Sequence, residues 1–391
     1  MIVGVVKETY PGERRVALTP AVIPNLKRIA SEVLVEAGAG VLAGFEDGAY
    51  VEKGAQVVPS RREVFERADI IVQVRGYGAN PGAGRADLSY LRAGQVVVGL
   101  LDPIASPEAA AELAQLGVTA FALELLPRIS RAQPMDVLSS QATVAGYKAA
   151  LLAAMALPKL FPMMITAAGT ITPAKVFVVG VGVAGLQAIA TARRLGAVVS
   201  AYDVRPAAKA EAESVGARFI ELGLEGGDVE AGGGYARPMG EEFYRRQREL
   251  LGRVLTEQDA VITTAMVLGR RAPVLITADM VRRMRPGSVI VDLAAERGGN
   301  CEVTVPGETV EVSGVKVIGA ANLASTVPYD ASQMYARNLT SFILHVFGRR
   351  GEPDFPDEIT RETLLTHRGQ VVHPRVRELL GLPPAVAKGV G

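Results

Sequence analysis

One cysteine, Cys301, and three histidines, His345, His367 and His373, are all that a chain of 391 residues offers in thiolate or imidazole ligands. A single thiol excludes an intrachain disulfide framework and a multi-cysteine metal site. The histidines all fall late in the chain, so a histidine-rich metal cluster is not expected either. Aromatic residues make up only 5% of the chain, which leaves small aliphatic side chains to build the core. An excess of charge is also missing: 42 Lys and Arg stand against 41 Asp and Glu. With no basic surplus to neutralise phosphates, a nucleic-acid partner is not expected. Long apolar runs are absent too. The stretch Val176–Ala192 contains Gly180, Gly182, Gly185 and Gln187, and Ala149–Pro158 is short and bracketed by Lys148 and Lys159. Neither reads as a membrane span. The opening Met1–Lys7 reads as a strand and lacks the features of an export signal, so a cytoplasmic location is expected.

What is abundant points to one fold class. Hydrophobic residues reach 49%, Gly, Ala and Val dominate over aromatics, and the length suits two domains of α/β type. Strand and helix patterns alternate, the sign of βαβ units and parallel sheets. Early in the chain, "MIVGVV", "EVLVEAG", "ADIIVQV", "QVVVGLL" and "TAFALEL" read as strands, with helices around Pro20–Ala30 and over Pro107–Gln115. An alanine-rich helix follows from about Ser139 to Leu157. A second unit reads as strand "KVFVVG", helix Gly185–Leu195, strand "VVSAYD", helix Pro206–Val215 and strand "RFIEL". The strands "AVITTA", "SVIVDLA" and "VKVIGA" come later, with a helix over Ala278–Met284. A strong helix spans about Ala331–Phe347, and "RGEPDFPDE" beyond it reads as an exposed linker.

The sharpest motif is Gly180-Val-Gly182-Val-Ala-Gly185, placed after a strand and opening a helix. The first glycine allows a tight turn and the second a close approach of backbone to a pyrophosphate. The third lets the helix pack against the sheet. Free N–H groups at the helix mouth then face the anion. Asp203 ends the next strand, about 20 residues beyond Gly185, where a carboxylate accepts from the adenosine ribose and repels a 2′-phosphate. That favours NAD(H). Arg205 beside it could instead accommodate such a phosphate.

The runs "SRAQPMDVLSSQATVAGYKAALLAA", "ITTAMVLGRRAPVLIT" and "PGSVIVDLAAERGGNCE" resemble one family, as does the loop "GGDVEAGGGYARPMGEEF". It is the NAD(H)-binding domain I of the proton-translocating nicotinamide nucleotide transhydrogenases. The opening "KE…ERRVALTP" is shared with the related alanine dehydrogenases. The resemblance implies Si/Re-specific hydride transfer between NAD(H) on this chain and NADP(H) on a separate domain III subunit. A membrane-embedded domain II subunit couples that exchange to proton translocation. It further implies a homodimer, peripheral to the cell membrane through its partners.

The expected architecture is two Rossmann-like doubly wound parallel-sheet domains joined by long helices, with the cofactor cleft between them. The helix 331–347 would pack back on the first domain, giving residues 1–137 plus 328–391 for one domain and 138–327 for the other.

The resemblance also assigns residues. Arg128, Asp136 and Ser139 would hold the nicotinamide carboxamide and nearby ribose, and Gln133 would reach towards the partner. The alternative is a solvated loop in which Asp136 caps the following helix. Arg131 reads as a surface or partner-facing charge, and His345 as a packed histidine. The glycine-rich loop 223–240 is read as a lid that brings Gly234, Tyr235 and Met239 over bound nucleotide, against a plain connection. Val183, Ala184 and Val204 would touch the cofactor through backbone or apolar surface, and Gln247 and Met266 match nucleotide-contacting positions.

Two other readings compete. An alanine dehydrogenase-like oxidoreductase needs a proton acceptor after the strand Val96–Leu101, where that family carries histidine. Here the sequence reads Leu100-Leu101-Asp102-Pro103, and Glu296 replaces the aspartate expected before the "GG" turn, although Arg15 survives. A non-catalytic NAD-binding protein needs the fingerprint but not the loop Arg128–Ser139.

Overall fold

The computed structural model describes residues 1–222, 240–266, 269–348 and 351–384, together with the backbone of 230–231 and 235–236. The chain divides into two compact units, one of residues 1–141 and 325–391, the other of residues 142–324.

In the first unit the apolar runs become short strands buried on both faces, as parallel strands must be. The sheet runs, edge to edge, through Gln370–Val371, Leu364–His367, Thr119–Ala122, Val96–Leu100, Ile70–Arg75, Ile2–Val5, Glu32–Glu36 and Gln56–Val58. The six strands up to Ala122 are parallel and follow the doubly wound order 3-2-1-4-5-6. Successive residues feed opposite faces. Val3, Val5 and Val72 join Tyr335, Leu339 and Phe342 of the helix Pro328–Phe347. Ile71 and Val97 turn to the other face, against Val64 and Phe65 of the helix Arg61–Arg67 and Leu113 of the helix Pro107–Gln115.

Two expectations are corrected in this unit. The helix expected around Pro20–Ala30 is a 3-10 turn, Pro20–Val22, followed by a single helical turn, Ile23–Leu26. Pro20 and Pro24 each remove a backbone donor, so no longer ladder can form. The supposed linker after residue 350 is structured. Phe355 packs against the core, Asp357 caps the helix Glu358–Thr363, and Leu364–His367 adds antiparallel to Thr119–Ala122. Thr366 Oγ1 seals that junction by accepting from Ala120 N at 3.1 Å and donating to Val118 O at 2.8 Å.

The second unit repeats the same order. Arg218–Phe219, Val198–Tyr202, Lys175–Val179, Ala260–Thr263, Val289–Asp292 and Val315–Gly319 are parallel neighbours, and Thr309–Val312 closes the far edge antiparallel. The strand expected at "RFIEL" pairs over only two residues. Helices Val183–Arg194 and Glu241–Leu255 carry residues that the sequence flagged. A small antiparallel hairpin, Met164–Thr166 with Gly169–Ile171, was not expected, and every residue in its strands is exposed. Among the described residues no helix is long and apolar enough to cross a membrane.

The two strand orders place a crevice at different residues in each unit. In the first, the gap between Ile2–Val5 and Ile70–Arg75 is closed by Glu8, whose carboxyl accepts from Val74 N at 2.6 Å and Arg75 N at 3.1 Å. Burial, helped by neighbouring Glu13, pushes this carboxyl up from 4.5 to about 8. Glu8 therefore favours folding in its protonated form, fully so below the unfolded-state value and progressively less as pH rises to about 8. The Glu8→Gln variant is expected to gain stability relative to the parent as pH rises from 4.5 to 8. Denaturant unfolding across that range checks the slope, whatever the constant cost of the substitution.

Candidate functional site

The glycine fingerprint lies at the carboxyl end of Lys175–Val179, where the strand order of the second unit reverses. Its three glycines have three different surroundings. Gly180 takes a left-handed φ of +96°, and a Cβ there would press on Thr264 Oγ1 at 2.7 Å and Ala265 N at 3.0 Å. A Cβ at Gly185 would lie 1.9 Å from the Gly180 carbonyl oxygen. Around Gly182 nothing lies within 4 Å of that position. Two glycines are thus needed for close packing of helix on strand, and the third faces open space. Gly182 is also the N-cap of the helix Val183–Arg194, and no side chain caps that end. The first-turn N–H groups and the positive end of the helix dipole remain available to an anion.

Several flanking groups hold this turn. Thr264 Oγ1 donates to Gly180 O at 2.9 Å, across the gap between the two central strands. Asp203 Oδ2 accepts from Val181 N at 2.7 Å, and Oδ1 accepts from Arg205 N at 2.9 Å. Arg205 is buried and turns its guanidinium inward, donating to both oxygens of Asp203 and to Val181 O at 3.1 Å. In this structure Arg205 is engaged with Asp203 and the loop backbone. Val183 is exposed, Ala184 is buried and Val204 is half-buried.

Gln247 projects from the helix Glu241–Leu255 and donates to Tyr202 Oη at 3.0 Å. Its Oε1 is buried and finds no partner among the described residues. Burial pushes the Tyr202 hydroxyl up to about 12, so it stays protonated at neutral pH. Met266 follows Ala260–Thr263 and is 42% exposed. An uncapped helix mouth, open space over Gly182 and an orphaned buried amide oxygen fit a bound dinucleotide. Gly234 and Met239 fall outside the described residues, and of Tyr235 only the backbone is described, pairing with Ala231 in a short hairpin.

The loop Arg128–Ser139 belongs to the first unit. Residues Ser130–Met135 form a 3-10 turn, from which Gln133 is exposed, and Arg128 just before it is exposed as well. Asp136 caps the helix Val137–Ala156: Oδ1 accepts from Ser139 N at 2.9 Å and Oδ2 from Ser139 Oγ at 2.5 Å. Asp136 and Ser139 therefore stand as one bonded pair. Arg131 is a surface charge, half exposed, and pairs with Asp357 at 2.6 Å. His345 meets the same carboxylate at 2.8 Å.

Two positions bear on the competing dehydrogenase chemistry. Arg15 is buried and satisfied by Glu13, at 2.8 and 2.7 Å, and by Gln141 at 2.8 Å. At the end of Val96–Leu100 the backbone N–H groups of Leu101 and Asp102 donate to half-buried Glu124, and no histidine is present there.

Two family models cover nearly the whole chain: "Alanine dehydrogenase/PNT, N-terminal domain" over residues 4–145 and "Alanine dehydrogenase/PNT, C-terminal domain" over 149–374. The chain belongs to this family. It is 44% identical over 379 residues to the first portion of the NAD(P) transhydrogenase alpha subunit of Rhodospirillum rubrum, covering 96% of this chain and 98% of that one. Alanine dehydrogenase of Bacillus subtilis is 29% identical over 390 residues, covering 97% and 95%. Among solved structures, the transhydrogenase of Sinorhizobium meliloti matches with a TM-score of 0.84 at 45% identity, covering 95% of this chain and all of that one. An L-alanine dehydrogenase matches with a TM-score of 0.80 at 28% identity, covering 97% and 99%. Family membership implies binding of a nicotinamide nucleotide, and the alpha-subunit relatives imply a multi-subunit oxidoreductase.

Sequence reasoning missed the residues that support the alanine dehydrogenase/PNT fold from behind. Gly146, in the middle of the helix Val137–Ala156, brings that helix onto the first turn of Val183–Arg194. A Cβ there would lie 2.1 Å from Ala184 O. Asp292 is fully buried and accepts from Thr263 Oγ1, Ala294 N, Cys301 N and Thr304 Oγ1. Asn300 accepts from Ala265 N and donates to Ala265 O and Pro273 O, fixing the chain just before Met266. Only the Gly-rich "AERGGN" run gave any sign of this hub. Gly185→Ala is expected to cost about 1–3 kcal/mol by overpacking. Gly182→Ala meets no neighbour and should cost less, about 1 kcal/mol or under, from the weaker N-cap. Equilibrium unfolding of the two variants checks this contrast.

Proposed function

We propose that the chain is the NAD(H)-binding component of a Si/Re-specific proton-translocating transhydrogenase. NAD(H) is held at the mouth of the helix Val183–Arg194, and NADP(H) is carried by a separate partner subunit. A membrane-embedded subunit couples the exchange to proton translocation, with this chain peripheral to the membrane on its cytoplasmic side. The observation that carries the reading is the division of labour among Gly180, Gly182 and Gly185: two are closed against backbone and one is open where a pyrophosphate needs room. The bound nicotinamide supplies or accepts a hydride, so NADH and NADP⁺ become NAD⁺ and NADPH with no net proton exchanged by the protein.

Direct transfer asks the protein to orient two rings and exclude water, not to act as acid or base. The residues present suit that task. Arg128 and the Asp136–Ser139 pair offer donors and acceptors for a carboxamide and ribose, and exposed Gln133 is available to a partner. Preference for NAD(H) is supported by Asp203, with Arg205 occupied by that same carboxylate and by Val181 O. Gln247 and Met266 contribute contacts at the carboxyl ends of the central strands. Val183, Ala184 and Val204 lend backbone and apolar surface.

A homodimer completes the assembly. Its support is the exposed hairpin and the helix end before it: Ile165 is 75% and Met155 83% exposed, and no charged residue occurs from Leu160 to Ala174. An apolar, uncharged patch of this kind favours burial against its own copy.

The test mixes the purified chain with NADH, the NADP(H)-loaded partner subunit and an NAD⁺ analogue as final acceptor, without membrane. Hydride exchange is expected and should fall at least about tenfold, ~1.4 kcal/mol in the barrier, for Gln133→Asn and for Asp136→Asn. Asparagine retains capping ability, so the helix survives in the latter. Calorimetry should show uptake of NADH by the chain alone. Absence of that uptake, or alanine-dependent reduction of NAD⁺, overturns the assignment.

A further inference from the structure

The 3-10 turn Ser130–Met135 is weakly self-supporting. Such turns have poor hydrogen-bond geometry, and Pro134 removes one donor from this one. It is held instead from outside at three points. Ala132 and Met135 are buried in the core beneath the sheet. Asn338 Nδ2 donates to Pro134 O at 2.7 Å. Arg131 Nη1 donates to Asp357 Oδ2 at 2.6 Å, with Glu358 Oε2 at 3.5 Å from Nη2.

Asp357 is itself immobilised. Its Oδ1 accepts from Ile359 N at 3.0 Å and Thr360 N at 3.3 Å, and lies 2.8 Å from His345 Nε2. Asn338 and His345 share one face of the helix Pro328–Phe347, about two turns apart. One helix therefore braces the turn twice, directly through Asn338 and indirectly through His345 and Asp357. Gln133 is the exposed residue between the two braced positions, Arg131 and Pro134.

We infer that Asp357 is a positioning residue for hydride transfer: through Arg131 it fixes the turn that presents Gln133. The inference rests on the proposed role of that turn. It assigns a task to the C-terminal segment, which forms a brace for the site rather than a linker. Arg131 is half exposed, and a surface pair of this kind adds little to global stability. Its effect is orientational. Misplacement of a reacting partner by about 1 Å can cost on the order of 100-fold in rate.

The experiment measures NADH dissociation constant, melting temperature and hydride-exchange rate with the NADP(H)-loaded partner subunit. The variants are Asp357→Asn, Arg131→Ala, Arg131→Lys and Gln133→Asn, with the double variant Gln133→Asn/Asp357→Asn. Asp357→Asn and Arg131→Ala should slow exchange about tenfold at unchanged NADH affinity, with the melting temperature within about 2–4 °C of the parent. Arg131→Lys should recover part of the rate. In the Gln133→Asn background, Asp357→Asn should add little, because the brace acts through that residue.

Arg131→Ala leaves the Asp357 cap intact, so it carries the test even where Asp357→Asn folds poorly. If exchange is unchanged in Arg131→Ala while Gln133→Asn collapses, the brace is refuted and the role of the turn stands. Full rate in Gln133→Asn overturns both. Additive losses in the double variant reduce Asp357 to a structural cap and overturn the inference.

Discussion

The nucleotide-fold half depends on one close approach, a helix lying so near a strand that a methyl group on Gly185 would collide with the Gly180 carbonyl. That approach sets where the first turn of Val183–Arg194 begins and which way its N–H groups face. Thr264, reaching across from the neighbouring strand to Gly180 O, keeps the turn from opening. Gly146 applies the same logic from the other side, bringing a second helix down onto Ala184 O. The oxygen of Gln247 and the side chain of Met266 are then set beside a mouth whose shape is already determined by backbone. Small residues are required at these points because any side chain would separate the layers.

The two units share a strand order but treat its reversal point in opposite ways. In one, a glycine turn leaves the helix mouth uncapped. In the other, Glu8 fills the corresponding gap and bonds to Val74 and Arg75, while Arg15 is occupied by Glu13 and Gln141. A buried carboxyl held well above its usual range and a guanidinium already matched leave the first unit little capacity to bind a small anion at that point. The family contains both dehydrogenases and transhydrogenase subunits on a single fold.

Much of the scaffold was legible in the residues. Apolar runs bounded by glycine or charge gave the central strands, because a strand buried on both faces tolerates nothing else. The fingerprint was legible for a similar reason, since only glycine meets the steric demands at Gly180 and Gly185. Local chemistry hid other regions. The stretch from Pro20 to Ala30 has helical spacing, yet two prolines reduce it to a pair of turns. The run 350–358 reads as a linker because it is rich in proline and charge. It and the strands beyond it are tied down by partners far along the chain, Thr366 with Val118 and Asp357 with Arg131, the latter 226 residues away. No periodicity reports a pairing at that range. Gly146 looked like an ordinary interruption of an alanine-rich helix, and Arg131 like any exposed cation.

Asp292 and its neighbours have one more effect. The thiol of Cys301 lies behind that hub, fully enclosed, and burial pushes it up to about 12. A sulfur that is neither exposed nor ionised is inert towards maleimides, iodoacetamide and peroxide at neutral pH. Since it is the chain's sole cysteine, the native protein is already a silent background for thiol labelling. A spin label or fluorophore placed on a new surface cysteine would report on loop motion without any engineered removal of competing sites.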